Sequence, residues 1–349
     1  MALTLPVHHF SSPIGLSSFP TMDMKMKAMP TLNTILNPET CVQKGLCPVS
    51  HERNEQPRKL YYEIHGDLKA TQKLVLIMGL MFTCAAWSEQ VNYFSKKADH
   101  AVLVFDNRGV GNSECGPRKP YRTSGMAQDV KDLLDFLQWD QDRSLHIFGV
   151  SLGGMVAQNV ALLIPKRIKS ISFISTRSGS VFDIPSPRAI ATLLNIVLKK
   201  GSYKKRLDHL FEIIYPSSYL DQSTANGRTR RDELHEYYQT WFDSPNQQIP
   251  PAGIFGQFCA VALHHCSDTN LHKIAADLYP AKIAVISGSK DELICPSRSF
   301  ELYEKLPGSE LVIIQNAGHI LNSQVTQKFN SLMERIIQEG NLAFQIRKC

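Results

Sequence analysis

The chain has 349 residues, of which 43% are hydrophobic and 20% charged, so it is long and apolar enough for a buried core, and global disorder is excluded. Its net charge of +6 is carried in short, interrupted runs (Lys199–Lys200, Lys204–Lys205–Arg206, and Arg228, Arg230, Arg231) that read as solvated faces and exclude the basic stripe of a nucleic-acid binder. Eight scattered cysteines with no CxxC pair, and no N-x-Ser/Thr acceptor, exclude a small disulfide framework and point to a reducing, cytoplasmic setting.

Residues 1–57 are rich in Ser, Thr, Pro and Met without sustained periodicity and are expected to form an extended or weakly ordered arm. Residues 1–22 carry no charged side chain and are broken by Pro6, Pro13 and Pro20, which is not the pattern of a secretory leader. Cys41 and Cys47 lie in this arm with no obvious partner cluster and read as an incidental pair. No apolar run reaches membrane-spanning length.

From residue 58 the pattern changes. Lys59–His65 alternates like a strand, and Leu74–Met78 is a continuous apolar run, as expected of a strand buried on both faces. Similar runs recur at Ala101–Phe105, Leu145–Phe148, Ile168–Ile174, Ile283–Ile286 and Leu311–Ile314. Helical patterns lie between them at Ala85–Lys97, Thr123–Trp139, Leu152–Ile164, Ser299–Leu306 and Gln324–Glu339. Strands alternating with helices predict a mostly parallel α/β sheet over 58–176 and 277–349. The alternation stops over 177–276. Helical pieces such as Ala189–Lys199 and Arg231–Phe242, separated by prolines, predict a helical cap inserted over one edge of the sheet.

Four strand ends carry chemistry. Gly149-Val150-Ser151-Leu152-Gly153 joins an apolar strand to a helix, the setting in which G-x-S-x-G raises a serine hydroxyl above a sheet on a tight turn. A helix N-terminus behind Ser151 favours negative charge, and the backbone N–H of Leu152 is a candidate donor to an oxyanion. Met78-Gly79-Leu80 ends another strand, and the N–H of Leu80 is the second candidate donor. A serine needs a base. His319, in Asn316-Ala317-Gly318-His319, and Asp291, in Gly288-Ser289-Lys290-Asp291, each follow a strand, and the order Ser151, Asp291, His319 suits a nucleophile, an orienting acid and a base.

Other polar clusters read differently. Asp106-Asn107-Arg108-Gly109-Val110-Gly111-Asn112-Ser113 is not a dinucleotide loop, because Glu114 stands where the third glycine belongs; Asp106 and Arg108 are expected to brace a tight loop beside the site. His264, His265, Cys266, Cys259 and Asp268 lack recognised metal-ligand spacing. No metal and no cofactor is expected.

Together the MGL turn, the DNRGVGNS loop, the GVSLGG elbow, the GSKDELICP acid turn and the NAGH base turn resemble the α/β-hydrolase fold family over 58–176 and 277–340. The resemblance implies an eight-stranded, mostly parallel sheet with a helical cap, and cofactor-independent hydrolysis of an ester, lactone or related acyl bond of a small-molecule substrate. Met78-Gly79 stands where many members have His-Gly, and Met81 and Phe82 replace small or Pro residues. Ser151, rather than aspartate, at the elbow separates the chain from epoxide hydrolases and haloalkane dehalogenases. Acyl transfer, carbon–carbon bond hydrolysis and a binding protein that keeps the fold remain as alternatives. The apolar segment from Ala189 to Leu198, followed by Lys199, Lys200, Lys204 and Lys205, reads as a helix end with a solvated turn, or else as the lining of an acyl pocket or a weak membrane-surface contact of the cap.

Overall fold

The computed structural model describes residues 36–50, 57–179, 191, 192, 195, 202–243 and 249–345. Eight strands, β1 (Cys41–Val49), β2 (Arg58–Gly66), β3 (Gln72–Ile77), β4 (His100–Phe105), β5 (Leu145–Val150), β6 (Ile168–Ile174), β7 (Lys282–Gly288) and β8 (Glu310–Ile314), form one sheet in the order β1-β2-β4-β3-β5-β6-β7-β8. β1 with β2 and β2 with β4 are antiparallel; every other pair is parallel. The central strands are the apolar runs of the sequence, and helices on the sheet's faces bury them on both sides.

Strand β1 lies inside the arm expected over 1–57. Its side chains alternate, with Cys47 and Val49 buried and Val42, Lys44 and Pro48 exposed. An edge strand has one pairing partner and a solvated face, so it needs no continuous apolar run, and an edge position tolerates Pro48. Cys41 and Cys47 sit six residues apart along this strand and are not bridged to each other.

Helices α1 (Ser88–Phe94), α2 (Thr123–Phe136) and α3 (Leu152–Leu163) connect the first strands; α9 (Pro296–Glu304), α10 (Leu321–Gln324) and α11 (Thr326–Gln345) follow β7 and β8. Between β6 and β7 the described residues are helical: α4 (Tyr203–Ile214), α5 (Ser217–Leu220), α6 (Arg230–Asp243), α7 (Pro251–Ala262) and α8 (Asp268–Leu278). This stretch packs as two parts. Ala260, Cys266, Leu271, Ile274 and Leu278 join the core that covers one face of the sheet. Leu207, Phe211, Ile214, Tyr215, Leu220 and Tyr238 form a separate cluster, which meets the α/β body at Ile320. Of the apolar segment from Ala189 to Leu198, only 191, 192 and 195 are described, and Lys199 and Lys200 lie outside the described residues. Lys204 and Lys205 stand in the first turn of α4, where Lys204 is 3.8 Å from Asp208 Oδ2. Among the described residues no helix is long and apolar enough to cross a membrane.

Candidate active site

The strand order sets the position of the site. From β3 the chain passes to β4 on one side and then to β5 on the other, so the carboxyl ends of β3 and β5 flank the switch point where open α/β sheets bind ligands. Gly79 follows β3 and Ser151 follows β5. A Cβ on Gly79 would lie 3.2 Å from Ser151 Cβ, so the two turns are in contact.

Ser151 is the hinge between β5 and α3, with φ 55° and ψ −119°. A side chain at positive φ is strained and persists only where its surroundings fix it. Here they do. Ser151 N donates to Ile174 O at 2.9 Å, and Ser151 O accepts from Thr176 Oγ1 at 2.8 Å and from the N–H groups of Gly154 and Met155. The neighbouring glycines leave no room for a side chain: a Cβ on Gly153 would stand 2.1 Å from Ile77 O, and one on Gly149 2.4 Å from Gly153 O.

Asp291 and His319 come from the ends of β7 and β8. His319 Nδ1 is 2.8 Å from Asp291 Oδ2, and both residues are buried. Asp291 Oδ1 accepts from the N–H groups of Leu293 and Ile294, at 3.0 and 2.9 Å, which leaves Oδ2 for the imidazole. The turn that carries His319 is clamped from several sides. His319 N donates to Ile214 O at 2.8 Å, at the end of α4, Gly318 N donates to Gln324 Oε1, and Lys290 N donates to Ala317 O. The structure therefore joins Asp291 to His319 and sets Ser151 against the Gly79 turn. No hydrogen bond links Ser151 Oγ to His319 among the described residues. Such bonds often tighten only with substrate in place.

The N–H groups of Leu80 and Leu152 have no acceptor among the described residues. Two side chains hold the turn that carries Leu80: Asn107 Nδ2 donates to Met78 O at 2.8 Å, and Gln257 Oε1 accepts from Met81 N at 2.9 Å. Gln257 is fully buried and also donates to Arg108 O at 3.0 Å. Sequence reading missed it, because a lone glutamine in an amphipathic helix carries no signal. Its flanking glycines do carry one. Gly253 crosses against Gly109, where a Cβ would meet Gly109 O at 1.9 Å, and Gly256 lies under Tyr121, so α7 lies close against the DNRGVGNS loop.

That loop is braced as expected. Asp106 accepts from Cys84 N at 2.8 Å and Asn112 N at 2.9 Å, and burial still raises its carboxyl to about 6. Arg108 makes a buried two-pronged pair with Asp129, at 2.5 and 2.6 Å. His264 is buried, its ring nitrogens facing Thr123 Oγ1 and Gln158 Oε1; burial lowers it to about 3, so it stays neutral in the core. Cys41, Glu63 and His65 are the single grouping of possible metal ligands among the described residues. Glu63 and His65 are already joined in a chain with Thr40 and Tyr61, which accounts for their burial.

The chain belongs to the α/β-hydrolase fold family, whose model matches residues 73–324. It is 25% identical to a putative carbamate hydrolase, RutD, from Stutzerimonas stutzeri over 277 residues, 78% of this chain and 95% of that protein. It is 26% identical to the rhodomycin D methylesterase DauP of a Streptomyces species over 270 residues, 75% of this chain and 89% of the other. Among solved structures, the enol-lactonase from Burkholderia xenovorans shares the fold at a TM-score of 0.62 and 23% identity, with 80% of this chain and 97% of that chain covered.

Proposed function

We propose that the protein is a serine hydrolase that cleaves a carboxylic ester or related acyl bond through Ser151, His319 and Asp291. The observation that carries this reading is the 2.8 Å contact between His319 Nδ1 and Asp291 Oδ2, made at the ends of β7 and β8, on the same sheet edge as the strained turn that presents Ser151. With Asp291 on Nδ1, the imidazole's other nitrogen, Nε2, is the one left to take a proton.

In this mechanism Ser151 Oγ attacks the acyl carbon while His319 Nε2 takes the hydroxyl proton. Asp291 stabilises the imidazolium, and the oxyanion lies toward the N–H groups of Leu80 and Leu152. Collapse of the tetrahedral intermediate breaks the acyl–oxygen bond, and His319 returns its proton to the departing alkoxide. A water molecule, deprotonated by the same imidazole, then attacks the acyl-enzyme and releases the acid. Relatives named as putative carbamate hydrolases extend the reading to carbamates, on which Ser151 would expel the alcohol and form a carbamoyl-enzyme that water then cleaves.

Ser151→Ala is expected to abolish ester hydrolysis and fluorophosphonate labelling, with the melting temperature preserved. A variant that still turns over a p-nitrophenyl ester at near wild-type rate would overturn the assignment. Esters and carbamates matched in their alcohol, assayed side by side, separate the two acyl classes.

A further inference from the structure

A cavity of about 310 Å³ lies between the α4–α6 helices and the α/β body, roughly ten water volumes. Two of its lining residues adjoin the reactive groups: Met78 precedes the Gly79 that touches Ser151, and Ile320 follows His319. The cavity thus adjoins the turns that carry Gly79 and His319. On the reading of Ser151 as nucleophile, we propose that this chamber holds one arm of the substrate and selects a neutral, flat ring system over an extended alkyl chain or a ring acid.

The walls supply the first reason. Phe82, Tyr215, Tyr219, Tyr237 and Tyr238 line the chamber. They brace one another: Phe82 meets Tyr238 edge-on at 6.2 Å, Tyr215 stacks on Tyr219 at 5.3 Å, and Tyr237 meets Tyr238 at 5.5 Å. Phe211, fully buried behind them, meets Tyr238 at 5.2 Å. Rings held by rings form a wall before any ligand arrives. A flat guest gains face and edge contacts without freezing torsions of its own, whereas an alkyl chain must freeze several.

Charge supplies the second. Arg230 is the cationic residue of the lining, and it is already committed: Nη1 is 2.8 Å from Glu233 Oε2, and the guanidinium lies over the Tyr219 ring. Glu89, exposed and also in the lining, adds a second carboxylate. The lining thus carries one guanidinium and two carboxylates, and an anionic guest meets excess negative charge. Burial raises the Tyr215 phenol to about 12 and that of Tyr238 well above its ordinary value, so both stay neutral O–H groups.

The test is equilibrium binding to full-length Ser151→Ala protein at pH 7, with 2-naphthol, 2-naphthoate and 1-octanol as probes. 2-Naphthol is expected to bind at least about tenfold more tightly than either of the others, and Leu234→Trp, which fills the chamber, to weaken it by about tenfold or more at unchanged circular dichroism. If Leu234→Trp fails to fold, Tyr219→Ala takes its place with the same expected weakening. Octanol or naphthoate binding as tightly as naphthol, or naphthol binding that a folded wall variant leaves intact, would overturn the proposal. Because binding is read without the nucleophile, a wrong assignment of Ser151 leaves this result standing. Conversely, a wild-type protein that cleaves small esters but shows no preference for the ring fails only here.

Discussion

The strand-end loops and the α4–α6 helices are built by opposite means. Around Ser151 and His319, backbone presses on backbone: Gly153 against Ile77, Gly288 against Ala317 and Gly318, Gly318 against Ile214, each with a carbonyl oxygen 2.1 to 2.5 Å from where a Cβ would stand. In the helical part, side chains press on side chains, and Phe211, Tyr215 and Tyr238 make the core. A reacting geometry must be fixed within fractions of an ångström, which backbone contact achieves. A pocket must admit a ligand, and ring faces do that without moving the chain. Residues at the strand ends are therefore expected to govern rate, and those in the helices to govern choice of substrate.

The largest expected effect tests the strand-end side. On the proposed triad, Asp291→Asn leaves the geometry but removes the charge that would stabilise the imidazolium, and turnover is expected to fall by about 10³–10⁴-fold. The control is Asp268, a carboxylate of the insertion that is 2.8 Å from Lys305 Nζ and 63% exposed. Asp268→Asn is expected to leave kcat within about twofold, since exposed ion pairs contribute little. Steady-state kinetics on one soluble ester decides it, and a crippled Asp268 variant beside a mild Asp291 variant would reverse the assignment.

Glycine substitution sharpens the same contrast through stability. Gly153→Ala forces a methyl group onto the Ile77 carbonyl and is expected to cost about 4 kcal/mol or more, because backbone stands on both sides. Gly227, before α6, has φ +72° but nothing within 4 Å of its Cβ position, so Gly227→Ala should cost only the left-handed strain, about 1–2 kcal/mol. Urea denaturation of both variants gives the ratio.

These regions were unequally legible. Strand β2 was readable from its alternation, and the apolar strands from β3 to β8 because a strand covered on both faces is apolar along most of its length; Ile168–Ile174 is found with the bounds the sequence indicates. The turns that carry Ser151, Asp291 and His319 were readable as tight strand-end turns because glycine is the residue that fits where backbone meets backbone. Strand β1 was not, because half its side chains face water and Gly45 and Pro48 interrupt it. The division of 177–276 into two packing units was not readable either. Helical periodicity reports that a face is buried and is silent on what buries it, so Leu271 and Leu207 look alike in sequence and pack in different cores.

Two carboxylates, one from each region, carry opposite pH signatures. Burial raises Asp106 from 3.8 to about 6, above its unfolded value, so the folded state takes up a proton that the unfolded state does not. The stability this contributes is complete below about pH 4 and is lost as the pH rises through 6. The unfolding free energy of wild type relative to Asp106→Asn is therefore expected to fall by about 3 kcal/mol between pH 3 and pH 7. Asp208 in α4 is lowered: partial burial raises it, but the hydrogen bond from His235 at 2.7 Å, the charges of His235 and Lys204 and the hydrogen bond from Arg231 outweigh that. Its contribution is present above pH 4 and is lost on acidification through its folded value. Asp208→Asn should flatten that acid limb by less than about 1 kcal/mol. Denaturation midpoints across the pH range measure both, and equal slopes for the two variants would contradict the signs.

A more modest kinetic effect than that at Asp291 is expected where the two regions meet. Gln257 belongs to the insertion by sequence, yet its amide spans Met81 N and Arg108 O and so fixes the turn that carries the Leu80 N–H. In Gln257→Leu both bonds are lost while the volume is kept, and the turn is free to rotate its donor away from a developing oxyanion. An N–H that acts mainly in the transition state affects kcat more than KM, so kcat is expected to fall by about tenfold with KM nearly unchanged. Gln257→Glu keeps the acceptor for Met81 N but sets a carboxylate against the Arg108 carbonyl, so it should recover little. A role confined to packing predicts something else: a lower melting temperature, but normal kcat and a normal fluorophosphonate labelling rate for the folded fraction. Active-site titration followed by single-turnover acylation separates the two, because it counts only folded, competent enzyme. A tenfold slower acylation per titrated site would mean that a residue of the helical insertion tunes the rate as well as the choice of substrate, which limits the division of labour to α4–α6 and leaves α7 on the side of the strand-end loops.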